Sequence, residues 1–243
     1  MDAIILAAGK GERIKESHND PKILLELGGI TLLERHLKNL ESYGVKNVHI
    51  CCGYKYEKVI QKIKTSEKLN LSVVVNSDFD QGSLVSLWCM REIIETSSNL
   101  ILMDADVLYH PSILNKLISD PHQNSMLFDA HFEAGEEPVK ICLKEGKIKD
   151  FGKTIDYTEN YDLVGESIGF FKFCKAGCAE LYSVCEHFID NGKHHYPHEE
   201  VIRKMVVSKK IAFTAINVTN EPWIEIDFPE DIEKAEREIL PLI

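Results

Sequence analysis

The chain has 243 residues, 44% of them hydrophobic and 28% charged, which is enough apolar material for one large core or two small ones. A net charge of −11, from 39 acidic and 28 basic residues, argues against bulk nucleic-acid or anionic-membrane binding, so small-molecule partners are expected. No stretch approaches the ~20 apolar residues of a membrane span, and seven irregularly spaced cysteines (51, 52, 89, 142, 174, 178 and 185) suit a reduced, cytoplasmic setting better than a disulfide framework.

The run Ala3–Ala7 predicts a first strand that ends in glycines; extended to Ala8, it is still too short for a signal segment and lacks a basic flank. Apolar residues at 32, 33, 37 and 40 predict a helix over Thr31–Ser42. Then come a strand at Asn47–Cys51, a helix at Lys55–Lys64, a strand at Leu71–Val75, a helix at Ser83–Ile94 and a strand at Leu100–Met103 that ends in Asp-Ala-Asp. Strands separated by helices argue for parallel β-α-β units and an open, doubly wound sheet.

The second half changes character. Ser125–His131, Val139–Leu143 and Lys147–Phe151 read as strands, with Glu145-Gly146 as a hairpin turn between the last two. Ile168–Phe173 is a further strand, followed by helices at Ala176–Phe188 and Glu199–Val207. A late strand at Ile211–Ile216 and a final helix at Pro229–Ile239 complete the reading. One α/β domain over residues 1–243 is expected, with halves of about 1–120 and about 121–243 that differ in how their strands connect.

The densest chemical signal is Leu6-Ala7-Ala8-Gly9-Lys10-Gly11-Glu12-Arg13, followed by Pro21-Lys22. Glycines after a strand let backbone N–H groups approach a phosphate chain, and Arg13 and Lys22 supply charge for a polyanion. This is neither the GxGxxG fingerprint, since position 14 is Ile, nor a Walker loop. A second signal is Gly82-Ser83, where Ser83 reads as an N-cap. A third is Asp104-Ala105-Asp106 at a strand end, with a late carboxylate pair in Trp223-Ile224-Glu225-Ile226-Asp227, where alternation places Glu225 and Asp227 on one face. Magnesium favours one or two carboxylates together with phosphate oxygens. Cys174 and Cys178 lack a second ligand couple for zinc, and Pro197 interrupts the helix that His194 and His198 would need to share a metal; that stretch reads as a polar loop.

The complete first string resembles the signature of nucleotidyltransferases with a glycosyltransferase-A-like (Rossmann-like) fold, a mixed, mostly parallel sheet flanked by helices. In that family the loop wraps a triphosphate. The resemblance therefore gives Leu6, Ala7, Ala8, Gly9, Lys10 and Gly11 to the nucleotide, and gives charge stabilisation at the attacked phosphorus to Arg13 and Lys22. It gives Gly82 and Ser83 to the nucleobase, Asp104 to the nucleotide, and Asp106 and Asp227 to Mg2+. Lys153 is expected to reach the acceptor's phosphate as a catalytic cation, and Lys140, Glu166 and Glu199 to face the acceptor. Lys10 departs from the smaller residue usual in the family.

Within the family the chain looks most like short cytidylyltransferases acting on phosphocholine, inositol 1-phosphate or 2-aminoethylphosphonate. Glu137-Pro138-Val139-Lys140-Ile141, together with Gly152-Lys153, resembles the inositol-phosphate branch; Gly165-Glu166 and Trp223 to Asp227 resemble the aminoethylphosphonate branch. The implied partners are CTP and a small phosphorylated or phosphonylated acceptor, with a homodimer left open. Alternatives are a sugar-1-phosphate nucleotidyltransferase, a glycosyltransferase using Asp104-Ala105-Asp106, and a non-catalytic nucleotide sensor. The pairing of Arg13 and Lys22 with two carboxylates disfavours the last two.

Overall fold

Strand and helix alternate from the N-terminus as the apolar periodicity predicts; the computed structural model describes residues 1–63, 68–132, 138–155 and 161–243. β1 (Asp2–Ala7) leads through the glycine loop and two 3-10 turns, Glu12–Ile14 and Lys22–Leu24, to a ribbon of β2 (Glu26–Leu27) and β3 (Ile30–Thr31). α1 (Leu32–Ser42) starts one residue later than expected because Thr31 caps it. The Thr31 hydroxyl accepts from the Glu34 N–H at 3.1 Å, and the Glu34 carboxylate accepts from the Thr31 N–H at 3.0 Å.

β4 (Asn47–Cys52), α2 (Tyr56–Lys62) and β5 (Asn70–Val75) match their predicted segments; the expected helix end at Lys64 lies outside the described residues. The single helix predicted at Ser83–Ile94 is two, α3 (Ser83–Cys89) and α4 (Arg91–Thr96). The chain tightens at Met90, whose N–H bonds the Leu87 carbonyl three residues back and whose side chain is fully buried. β6 (Asn99–Asp104) then leads to β7 (Val107–Tyr109) and α5 (Pro111–Ser119), neither of which the sequence reading marked. β7 is too short for a period, whereas α5 carries Pro111 in its first turn and the helical apolar spacing of Ile113, Leu114 and Leu117, a signal the reading passed over.

The second half supplies β8 (Ser125–Asp129), the hairpin of β9 (Lys140–Lys144) and β10 (Lys147–Gly152), β11 (Leu163–Cys174), α6 (Lys175–Asp190), α7 (Glu199–Ser208), β12 (Thr214–Asn217), β13 (Trp223–Glu225) and α8 (Pro229–Lys234). Glu145 and Gly146 hold the hairpin turn with φ of 52° and 68°, as its Glu-Gly pair predicts. β11 begins five residues before the predicted Ile168 because Gly165, Glu166 and Ser167 pair with neighbours despite their polarity. The late strand shortens to Thr214–Asn217, and the final helix widens into a π turn over Ala235–Ile239.

A nine-stranded mixed sheet runs in the order β10-β9-β11-β6-β1-β4-β5, with β8 on the other edge of β11 and β12 beyond it. β10 and β11 run against the other seven, which is the mostly parallel sheet expected from the family resemblance. Strand alternation splits the core into two faces. Ala3, Ile5 and Ala7 pack with Leu33 and Leu40 of α1 and with Leu117 of α5. Ile4 packs with Leu87 of α3 and with Leu181 and Cys185 of α6. Each fully buried aliphatic side chain contributes about 1.5–3 kcal/mol of transfer free energy. Among the described residues no helix is long and apolar enough to cross a membrane.

Candidate active site

The parallel register fixes where the chemistry gathers. Leu6 of β1 lies beside Asp104 of β6, so the loops leaving these two strands emerge side by side at their carboxyl ends. A Cβ at Gly9 would meet nothing within 4 Å, which leaves the loop backbone open to the space above it. Gly11 takes φ +59°, starts the turn that projects Arg13, and lies against the Lys22 stem: an added Cβ would sit 3.0 Å from Lys22 Cγ. The resulting cavity, about 310 Å³, is lined by Gly9, Gly11, Arg13, Lys22, Asp106 and Asp227, together with Leu6 and Ala7.

The late carboxylates arrive through β13, which pairs antiparallel with β7 so that Glu225 faces Val107. The Ile226 N–H donates to the Asp106 carbonyl at 2.9 Å, and the Asp231 carboxylate accepts from the N–H groups of Asp227 and Phe228. Oxygen atoms of Asp106, Glu225 and Asp227 thereby lie within 4.8 Å of one another. The Lys22 ammonium donates to Asp106 Oδ2 at 3.0 Å and to Asp227 Oδ1 at 2.6 Å, and Arg13 lies 3.6 Å from Asp227 while covering the Phe228 ring. Burial alone would lower the Lys22 pKa, but the two carboxylates outweigh it and raise it. An ammonium between converging hard oxygen donors marks a cation position, and the donor set fits a divalent ion of magnesium's kind. Loss of surrounding water, then the like charges of Asp106, Asp227 and Asp104, hold the Glu225 carboxyl well above the usual range, although its surface remains exposed.

A second cavity of about 230 Å³ shares Leu6, Gly9 and Asp106 with the first. Ala8, Phe79, Ser83, Ser86, Asp104, His198, Glu199 and Glu225 complete its lining. Ser83 is not the N-cap of α3. Gly82 holds that position at φ +150°, with any Cβ only 2.8–2.9 Å from the backbone of His194, His195 and Tyr196. The Ser83 hydroxyl instead accepts from the His198 N–H at 2.8 Å and lies 3.2 Å from His198 Nδ1. His198 Nε2 is 3.5 Å from Asp104 Oδ1, and its Nδ1 is 3.1 Å from Glu199 Oε2 but out of line for a hydrogen bond. His198 Nε2 and Glu199 Oε2 are buried with no hydrogen-bond partner among the described residues.

Asp104 is held well above the usual carboxylate range by burial first, then by the like charges of Glu199 and Asp106, against the pull of Lys153 and Lys22. Its place depends on Gly169 of β11, at φ +74°, where a Cβ would lie 2.2 Å from Asp104 Oδ2. Gly169→Ala is therefore expected to cost about 1–3 kcal/mol through backbone strain and to displace Asp104. Thermal denaturation should show Tm falling by about 2–4 °C per kcal/mol, with weaker nucleotide binding by calorimetry; an unchanged Tm and affinity would count against this contact.

Of the other expected site residues, Lys10 turns to Asp80 at 2.5 Å and lies over the Phe79 ring. Lys140 is buried, and its ammonium donates to the carbonyls of Lys153 and Pro138. Glu166 pairs in register with Lys140 on one edge of β11 and with Asp129 on the other. Lys10, Gly82, Lys140, Lys153 and Glu166 do not line either cavity, although Lys153 is near enough to Asp104 to shift its ionisation. Glu137 lies outside the described residues. The sequence reading did not single out Gly169, Ser86 or the bond between Ser83 and His198. His198 enters that reading only as a candidate metal partner of His194 and as part of a polar loop.

Comparison with known proteins bears on the family and the fold. Residues 3–151 match the MobA-like NTP transferase domain. The chain is 27% identical over 238 residues to a bifunctional IPC transferase and DIPP synthase of Aquifex aeolicus (strain VF5), covering 97% of this chain and 51% of that protein. It spans about half the length of the first curated relatives it matches. It is 24% identical to the CTP:phosphoglutamine cytidylyltransferase of Campylobacter jejuni subsp. jejuni serotype O:2 (strain ATCC 700819 / NCTC 11168), over 96% of this chain and 98% of that one. The inositol-1-phosphate CTP transferase from T. maritima superposes with a TM-score of 0.78 at 22% identity, covering 98% of this chain and 97% of that one, which shows a shared fold. With the loop, the strand-end carboxylates and the sheet order in place, the chain belongs to the family of the MobA-like NTP transferase domain and has the glycosyltransferase-A-like fold.

Proposed function

We propose that the chain transfers CMP from CTP to a small phosphorylated or phosphonylated alcohol and releases pyrophosphate. The observation that carries this reading is the junction of two cavities at Asp106, one lined by the glycine loop with Arg13 and Lys22, the other by Asp104, His198 and Glu199. The first suits a triphosphate; the second, lined by Ala8, Ser83 and Asp104, suits the nucleoside end of the same nucleotide, with the acceptor entering on the Glu199 side. The cytidylyltransferase names of several relatives support the choice of CTP.

The residues suggest a division of labour. An acceptor phosphate or phosphonate oxygen, already anionic, forms a bond to the α-phosphorus in line, while the bond to the β-phosphate oxygen breaks and pyrophosphate leaves with the electron pair. No strong general base is required. Arg13 and Lys22 draw charge from the triphosphate, and Lys153, beside Asp104, is the cation for the acceptor's anionic group. A magnesium ion held by Asp106, Asp227 and Glu225 would supply further screening of phosphate charge.

Pyrophosphate release, coupled to a pyrophosphatase and phosphate detection, tests the reading across CTP, UTP, ATP and dTTP. The acceptors are 2-aminoethylphosphonate, phosphocholine, inositol 1-phosphate and glucose 1-phosphate. The expected result is turnover with CTP and one of the first three. Turnover with ATP or dTTP equal to that with CTP would overturn the base preference, and glucose 1-phosphate as the best acceptor would favour the sugar-phosphate alternative.

A further inference from the structure

We propose that His36, in the core beneath the sheet end, is a positioning residue that fixes the Asp104-Ala105-Asp106 loop in its cation-holding shape. This rests on the reading that Asp106 helps hold a divalent cation. His36 lies on α1 and is 0% exposed. Its ring packs 5.5 Å from the Tyr109 ring and edge-on to Phe170 at 6.4 Å, and its Nε2 lies 3.1 Å from the Ala105 carbonyl oxygen.

A carbonyl can only accept, so the proton sits on Nε2 and the ring donates. Burial pushes the pKa down to about 4, which leaves the ring neutral at pH 7 with one fixed tautomer. Nδ1 has no hydrogen-bond partner among the described residues, and an unpaired buried polar atom is destabilising. An apolar side chain would fill this space without that cost. What the imidazole adds is the single bond to Ala105.

That bond falls between Asp104 and Asp106. The next carbonyl along, that of Asp106, is held from the other side by the Ile226 N–H at 2.9 Å. The loop is therefore clamped by α1 below and by the 225–227 segment beside it. α1 also packs on the Lys22–Leu24 turn, so one helix sets the spacing between Lys22 and Asp106. Loss of the His36 donor frees the Ala105 peptide to rotate, and the direction of the Asp106 side chain rotates with it.

The test is Mn2+ binding to the full chain, followed by the electron paramagnetic resonance signal of free Mn2+, with Asp106→Asn marking the site. His36→Phe and His36→Leu fill the space without a donor, whereas His36→Gln returns an amide N–H near the place of Nε2. The expected result is Mn2+ affinity weakened about 10–100-fold in the Phe and Leu variants, the range for lost support behind a metal ligand, with recovery in the Gln variant. Circular dichroism identifies the folded variants; if the Phe variant does not fold, the Leu and Gln pair carries the same comparison. Wild-type Mn2+ affinity in a folded Phe or Leu variant, while Asp106→Asn loses binding, would overturn the role of His36 alone. Absence of any Asp106-dependent Mn2+ site in the wild-type chain would overturn the cation reading and this proposal with it.

Discussion

Asp106→Asn and Asp227→Asn are each expected to lower CTP-dependent pyrophosphate release by about a hundred- to a thousandfold or more, the scale for losing a preorganised charge at a reacting phosphate, while leaving the fold intact. Both side chains converge on Lys22, at 3.0 and 2.6 Å, and both belong to the three-carboxylate cluster. Asn keeps the shape and one oxygen but removes the charge. Steric change is slight, and the backbone anchors, from Ile226 to Asp106 and from Asp227 to Asp231, are untouched. The measurement is turnover at saturating magnesium beside a thermal melt. Near-wild-type turnover in either variant would remove that residue from the site.

Lys22→Ala is expected to act in two directions. With the triphosphate bound, loss of the cation should reduce kcat by about a hundred- to a thousandfold, since each ~1.4 kcal/mol of transition-state stabilisation is worth tenfold in rate. Without substrate, Asp106 and Asp227 lose the ammonium that neutralises them. Mn2+ should then bind the free chain more tightly than it binds the wild type, because its competitor for the same oxygens is gone. Lys153→Ala should differ, raising the acceptor's KM and leaving Mn2+ affinity near wild type. If Lys22→Ala weakened Mn2+ binding and left kcat unchanged, Lys22 would have no part in charge stabilisation and the competition would be refuted.

Much of this was legible in the sequence because it is local. A strand that runs into Gly9 and Gly11, and acidic residues placed at strand ends, are patterns with short periods. The structure puts Arg13, Lys22, Asp106 and Asp227 around one cavity. Alternation in Trp223–Glu225 and beyond likewise leaves Ile224 and Ile226 buried and the carboxylates outward. What escaped depends on contacts between distant segments. Nothing near Gly169 shows that Asp104 occupies the space of its missing side chain. Ser83 has the spacing of a cap, yet its oxygen is committed to His198, which approaches from the start of α7. Lys140 and Glu166 are polar residues on strands, and only the β9–β11 register makes them neighbours.

Along one edge β11 bonds to β9 through residues 163–166 and to β6 through residues 170–174; along the other it bonds to β8, in a ladder interrupted around Gly169 at φ +74°. Both substrate ends of the proposed reaction are thus measured from one continuous backbone. Sliding of one end past the other would require several interstrand hydrogen bonds to break together. In-line alignment would therefore be set when the chain folds. A new acceptor preference could then arise by exchange of side chains along the β9–β11 edge, with the geometry of displacement left undisturbed.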